Sequence, residues 1–566
     1  MGRWPVTHLD YWRIYDFCLN HTRLESSLHK HYERLSSHLR EIRHTYCIIG
    51  KDLENSYVPL MQLRWREMFT SKVDAAAPWD RWDFVALTFA IFITIWVFAL
   101  KLKTFHDLGY SGDLFVNVQL ARSWLEGRGL LQDNCYGNYL AIHSCFFLLP
   151  LGFIAKPFGA PGLLFVLAAS AGAAYFWATR ILRHLGVDWR VAVIAAGVLL
   201  ISPLSVFFYQ EAGHGFEAEN LVPALCLMLF YFLLRRRMIA SIVTAIAVIS
   251  VKEDAPIAAA IVAIIAGVET WISSPREPAH CRFNWPAAII LILSISAIPL
   301  LLAISWLQQP TMYARHSLDR LGIVAPGTLS SPGALFVFIV SHIAYWLGSS
   351  VVRQWLWVMI VGTFGTVLLR LYYLVVGLPT TMVAWLVNRN DLLWAERFSS
   401  TEALLWCITL IGFASIARAV PRFSKRMRAA VLTIAILIAA LATSAQLALV
   451  PWFTREVYLL RSTSLYSSSE RQAAEALFAR YRREGKPEEP VVASTMLFRY
   501  AHDRNLFWLN RLHGRPAPIW ILGDSADPYP PFRISADTIN PESGIRLEDY
   551  SLVDRRGRFV LLRKRE

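Results

Sequence analysis

Long apolar runs separated by short polar stretches set the character of this chain. Runs near 84–102, 161–179, 191–208, 220–234, 238–251, 255–272, 286–306, 334–350, 355–376, 402–417 and 429–450 approach the roughly 20 residues that a helix needs to cross a hydrocarbon core. They predict an all-α polytopic membrane protein with about 11 transmembrane helices. A further apolar stretch, "LAIHSCFFLLPLGFIAKP" at 140–157, is a special case. Counting it as a span would throw the following Arg cluster to the wrong side, so it reads as a helix half-sunk in the outer leaflet.

Both ends of the chain lose the long apolar pattern. Residues 1–80 form a cytoplasmic amphipathic helical segment, in which Leu28, Tyr32, Leu35, Leu39, Ile42 and Tyr46 recur at a 3-4 spacing. That spacing fits a short coiled coil or a helix lying on the inner leaflet. The central domain is 81–453, with outer loops at 103–160, 209–219, 307–333 and 377–401. The tail, 454–566, alternates signals: "SERQAAEALFARYRREG" is helical, "EPVVAS" and "PIWILGD" are buried strands, and "RFVLLRK" is a closing strand. It predicts a small C-terminal extracytoplasmic α/β domain, with neither a Gly-rich phosphate loop nor a catalytic triad spacing.

Composition agrees with the hydropathy. The 566 residues are 55% hydrophobic and 13% aromatic, and mean hydropathy is +0.39, well to the apolar side of soluble domains. A net charge of +14 would ordinarily suggest nucleic acid. Here the Arg clusters sit between apolar runs and report topology, so no nucleic-acid partner is expected. "RILRHLGVDWR" (180–190), "RRR" (235–237) and "RAVPRFSKRMR" (418–428) are placed in the cytoplasm, with the N-terminus inside and the C-terminus outside. The first residues lack a basic stretch followed by an apolar core, so no cleavable signal is expected. The expected location is a bacterial-type inner membrane. Seven Cys show no CxxC spacing. Cys135 and Cys145 are close enough in sequence to form a disulfide or to stand as two unrelated thiols.

This threading collects chemistry on the outer face: His106, Asp107, Asp113, His143, the "YQEAGHGFEAEN" loop (209–220) with Glu217 and Glu219, the "KED" of Lys252, Glu253 and Asp254, and "YARHSLDR" (313–320) with Arg315, His316 and Arg320. Charge at that depth is costly unless paired or facing a wet cavity, which makes "KED" a functional candidate; its alternative is an ordinary exposed turn. A carboxylate there can act as general base, and a cation can neutralise a departing phosphate. Asp113 has a second reading, as the cap of a helix starting at Leu114.

"YSGDLFVNVQLARSWLEGRGLL" (110–131) resembles the first outer loop of the GT-C superfamily of membrane glycosyltransferases: an acidic residue, then an "AR…L..G.GL" helix, directly after the first span. Residues 84–450 also resemble a family of predicted membrane proteins of unknown function grouped with GT-C enzymes. The resemblance is carried by "DLG", "IHSCFFLLPL" with His143, "GFEAENLVPAL" with Glu217, and "VKEDAPI". The chain departs from that family where "HGFEAE" replaces an "FHPE"-like element, against a metal-type His-Glu pair, and where "SSTEALL" (399–405) replaces a later His-Tyr element.

The resemblance implies transfer of a sugar from a polyprenyl-phosphate donor to an acceptor at the outer face. Asp113 would be the base, Glu217 and Glu219 would hold a metal or the acceptor, and Lys252 with Arg315, His316 or Arg320 would meet the donor phosphate. The co-substrate would be the lipid-linked sugar; a divalent metal is left open. The rival readings are a flippase for a lipid-linked sugar and a non-catalytic membrane scaffold. The flippase reading expects internal repeats, which this sequence lacks.

Overall fold

In the computed structural model, the described residues are 80–566 apart from 135–136, 210–213, 274–282, 309–349, 378–398, 423, 450–465, 503, 509–516, 529, 538, 540–542 and 566. The 3-4 repeat of Leu28 to Tyr46 and all but the last residue of the expected span 334–350 lie outside them. Arg81–Glu566 forms one compact unit.

Among the described residues the α-helices, in chain order, are α1 (Arg81–His106), α2 (Gly112–Arg122), α3 (Leu148–His184), α4 (Trp189–Leu200), α5 (Pro203–Tyr209), α6 (Val222–Leu234), α7 (Met238–Ile249), α8 (Ala255–Ser273), α9 (Trp285–Gln308), α10 (Ser350–Gly362), α11 (Tyr372–Val376), α12 (Ser399–Ala419), α13 (Lys425–Leu449) and α14 (Ser468–Glu484). Among the described residues five helices are long and apolar enough to cross a membrane, and four shorter apolar helices accompany them. Eleven full crossings are therefore not established. The expected span 191–208 divides into α4 and α5 at Pro203, which favours starting a helix over continuing one. The expected span 355–376 is broken where Phe364 and Gly365 take positive φ.

The stretch beginning at 140 feeds into the same helix as the expected span 161–179 and is set off from it by a bend. α3 runs for 37 residues but bends at Gly159 (φ 59°, ψ −140°), between Pro157 and Pro161, because each Pro removes a ladder hydrogen bond. The first arm exposes Phe153 and Phe158 and carries α2 on its inner side. There, a Cβ at Gly152 would sit 2.3 Å from the Ala121 carbonyl oxygen, and the Trp124 indole donates to the Leu149 carbonyl at 2.8 Å. The second arm packs on α1 through Gly172, where a Cβ would meet the Ala90 carbonyl oxygen at 2.4 Å. Such small-residue contacts bring membrane helices together at close range.

The two ends of the bundle differ in chemistry. At one end Asp83 is buried with Arg183 at 3.0 Å and Arg180 at 3.4 Å, and Trp82 stacks on Trp189. At the other end α1 runs into the tail, and the acids and histidines gather.

The tail carries a five-stranded sheet. With a small hairpin of β1 (Gln132–Asp133) and β2 (Gly137–Asn138) earlier in the chain, its strands are β3 (Val491–Ala493), β4 (Leu506–Phe507), β5 (Trp520–Asp524), β6 (Tyr550–Arg556) and β7 (Phe559–Lys564), in the order β4-β3-β5-β7-β6. β3 is parallel to β4 and β5, and β7 is antiparallel to β5 and β6. The three strands read from sequence are β3, β5 and β7; β4 and β6 carry too little alternation to be seen. The tail helix α14 starts in a Ser467–Glu470 capping box. The sheet region docks on α2: a Cβ at Gly112 would press on Phe498 and Trp508 at 2.8 Å, and Gln119 donates to the Leu506 carbonyl at 3.1 Å. Phe115 stacks on His502.

Candidate functional site

The site is assembled from two segments about a hundred residues apart. Asp113 stands in the first turn of α2. It does not cap that helix: Ser111 occupies the N-cap position and Gly112 already belongs to the helix. The second segment follows α5. Gly215 has φ +77°, and a Cβ there would come within 2.9 Å of the Tyr110 ring, so this turn needs glycine on both conformational and steric grounds.

Two side chains pin the loop. The buried Lys101 of α1 donates to the Gly215 carbonyl at 3.1 Å. Asn117 donates both to the Asp113 carbonyl at 3.0 Å and to the Phe216 carbonyl at 3.1 Å. The fully buried Phe216 anchors the loop further.

This pinning brings His214 Nδ1 into hydrogen-bond contact with Asp113 Oδ2, with Glu217 Oε1 3.7 Å from the same nitrogen. The side chains remain accessible, Asp113 at 37% and Glu217 at 17%. The sequence nominates this loop through Glu217 and Glu219 and argues against a metal-type His-Glu pair in "HGFEAE"; it does not nominate His214, the histidine of that element, as a partner of Asp113.

Two residues on, Glu219 turns to the second cluster. Lys252 Nζ is 2.7 Å from Glu219 Oε1, and both side chains are buried, which rules out the exposed-turn reading of "KED". Lys252 is thereby committed to a carboxylate instead of standing open to a donor phosphate. His143 Nδ1 is 2.6 Å from Glu253 Oε1, and the Ser144 backbone N–H donates to Glu253 Oε2 at 3.1 Å.

The electrostatics follow from that packing. Burial opposes ionisation of Glu253, but the His143 ring and the Lys252 ammonium outweigh it and hold the carboxyl down at about 2. Asp254 has the opposite balance: burial, helped by Glu253 and Glu219, pushes its carboxyl up to about 6 against Lys252, and its Oδ1 is buried without a hydrogen-bond partner among the described residues. An acid raised above its ordinary 3.8 contributes stability that is fully present below that value and lost as pH rises through about 6. Asp254→Asn should therefore raise the melting temperature at pH 8, by about 1–3 kcal/mol of stability, with the gain fading toward pH 4. An equal gain at both pH values would show that this carboxyl is not the titrating group.

Other predicted residues lie elsewhere. His106 and Asp107 face the tail: the Arg499 guanidinium donates to the His106 carbonyl at 2.5 Å, and Asp107 lies 2.7 Å from Lys103 and 3.6 Å from Arg471. They join α1 to the tail and do not meet Asp113 in any described contact. Arg315, His316 and Arg320 lie outside the described residues. Cys145 is a buried free thiol, and Cys135 lies outside the described residues. Sequence reasoning also missed Glu402, in the first turn of α12, which is buried and accepts from Ser205 Oγ at 2.8 Å and Trp406 Nε1 at 2.5 Å.

With this geometry in hand, comparison with known proteins adds one family. A family model described as predicted membrane protein (DUF2079) matches residues 109–394, just over half of the chain. The matched stretch contains Asp113, His143, the 214–219 loop and 252–254, and it ends before the tail sheet. No match was found among curated proteins.

Proposed function

We propose, for a chain that belongs to the DUF2079 family of predicted membrane proteins, that it is a glycosyltransferase of the GT-C kind, taking a sugar from a polyprenyl-phosphate donor at the outer face of the membrane. The observation that carries the reading is the Asp113–His214 contact. It sets an accessible carboxylate beside an imidazole, at the bundle end where a lipid-linked donor would present its sugar.

The chemistry is an inverting displacement. An acceptor hydroxyl attacks the anomeric carbon and Asp113 takes its proton as the new C–O bond forms. The bond from the anomeric carbon to the phosphate oxygen breaks, and its electron pair leaves with the polyprenyl phosphate. His214 orients the Asp113 carboxylate. Glu217 faces the acceptor. Lys252 holds Glu219 in place, leaving the donor phosphate to the other cationic candidates, Arg315, His316 and Arg320.

The orientation belongs to the proposal as well. The Arg-rich end, with Arg180 and Arg183 on Asp83, takes the cytoplasmic side by the positive-inside rule, so the 103–160 segment and the tail take the outside. In a cysteine-free background, Leu130→Cys, a site 50% exposed, should react with an impermeant maleimide in intact cells. Lys425→Cys, at the opposite end, should react only after permeabilisation. The reverse pattern would invert the topology and remove the site from the outer face.

The function is tested in proteoliposomes with a panel of polyprenyl-phosphate pentoses and hexoses, reading release of polyprenyl phosphate. Release by the wild-type chain and none by Asp113→Asn is expected. No release above that variant with any donor would reject the reading.

A further inference from the structure

We infer that Asp113, His214 and Glu217 bind a divalent transition-metal ion. The inference uses the site of the proposed transfer but is tested by metal binding alone, with no sugar present.

Convergence on one atom is the starting point. His214 Nδ1 is in contact with Asp113 Oδ2 and 3.7 Å from Glu217 Oε1. A ring nitrogen carries at most one hydrogen, which serves one carboxylate; a cation at the same place serves all three groups. The three ligand atoms lie within 4.8 Å of one another. Bonds of about 2.0–2.2 Å to zinc place neighbouring ligand atoms roughly 3–3.5 Å apart. Small side-chain rotations, Asp113 and His214 opening and Glu217 closing, therefore create the centre.

Donor type then selects the ion. One imidazole nitrogen and two carboxylate oxygens suit Zn²⁺ or Mn²⁺; magnesium and calcium favour all-oxygen sets. The backbones are already held, since Asn117 ties the Asp113 carbonyl to that of Phe216 and Lys101 ties Gly215. Three protein ligands with side-chain exposures of 37%, 30% and 17% leave an open coordination position, the arrangement of catalytic and not of structural zinc sites. An ion on Asp113 Oδ2 leaves Oδ1 to receive the acceptor proton.

The experiment takes the full chain in nanodiscs, stripped with a chelator. Zn²⁺ is titrated by calorimetry, and Mn²⁺ by loss of its free-ion paramagnetic resonance signal. One equivalent should bind. His214→Gln and Glu217→Gln should each weaken it by more than about 100-fold, beyond the 10–100-fold that loss of an outer partner costs. Glu484→Gln, on the exposed face of α14, should bind as wild type. A melting curve for each variant identifies any that fails to fold, and the remaining variant then decides. Absence of a stoichiometric site, or binding unchanged in a folded variant, overturns the inference. Donor cleavage by a wild-type chain that binds no metal would do so while leaving the transfer reading intact. Binding with cleavage indifferent to chelator would support the site and exclude its metal from the chemistry.

Discussion

Asp113→Asn should lower sugar transfer by about 10²–10⁴ while leaving the protein folded, because it removes the general base, which is also a carboxylate of the inferred metal centre, and no element of the fold. The asparagine keeps the size of the side chain and a carbonyl oxygen facing His214. Helix α2 loses no cap, since the N-cap position belongs to Ser111. What disappears from the fold is one accessible contact to His214, worth about 0–1 kcal/mol at this exposure. Asp113→Ala should accordingly be as inactive as Asn and nearly as stable. The capping reading predicts a different pair of results, an active Asn variant and an Ala variant about 1 kcal/mol less stable. Donor cleavage and melting temperature, measured for both variants, decide between them; an active, stable Asn variant would falsify the catalytic role.

The largest effect on stability is expected at Lys252. Its ammonium and the Glu219 carboxylate are buried 2.7 Å apart. Burial by itself would lower the Lys252 pKa, but the Glu219, Asp254 and Glu253 charges outweigh it and hold the value above the ordinary lysine range. Burial would likewise raise Glu219, and Lys252 overcomes it to hold that carboxyl below its ordinary value. The acid's contribution is present above its ordinary 4.5 and lost as pH falls through its lower folded value. The base's contribution is present below 10.5 and lost as pH rises through its higher one. The pair is thus fully stabilising between those limits.

Lys252→Gln at pH 7 leaves an uncompensated buried carboxylate and should cost about 3–5 kcal/mol. The double variant with Glu219→Gln removes both charges and should recover most of that loss. Melting curves of the two single variants and the double form a cycle. A Lys252→Gln variant within about 0.5 kcal/mol of wild type would be the behaviour of a surface residue and would contradict the buried pair.

Much of the architecture was legible before any coordinates. The apolar runs and the strands at 491–493, 520–524 and 559–564 follow from hydropathy and alternation, which accumulate along the chain and need no knowledge of neighbours. The Arg-rich clusters at 180–190, 235–237 and 418–428 also show in the sequence. Short or interrupted elements were not legible in the same way: β4 has two residues, and α4 and α5 divide one hydrophobic run at a proline.

The site divides along the same line. Asp113, Glu217, Glu219 and the 252–254 triplet could be nominated from residue type and position, because ionisable groups beside apolar spans are costly and therefore few. Their partners could not. His214 meets Asp113 only because Lys101 and Asn117 fasten the returning loop to α1 and α2. Lys252 faces Glu219 because the loop and the α7–α8 turn reach the same bundle end, and His106 and Asp107 turn to the tail because Arg499 and Arg471 are there. Which charges exist near a membrane surface is a property of the chain; which of them meet is a property of loop return, fixed by hydrogen bonds between segments about a hundred residues apart.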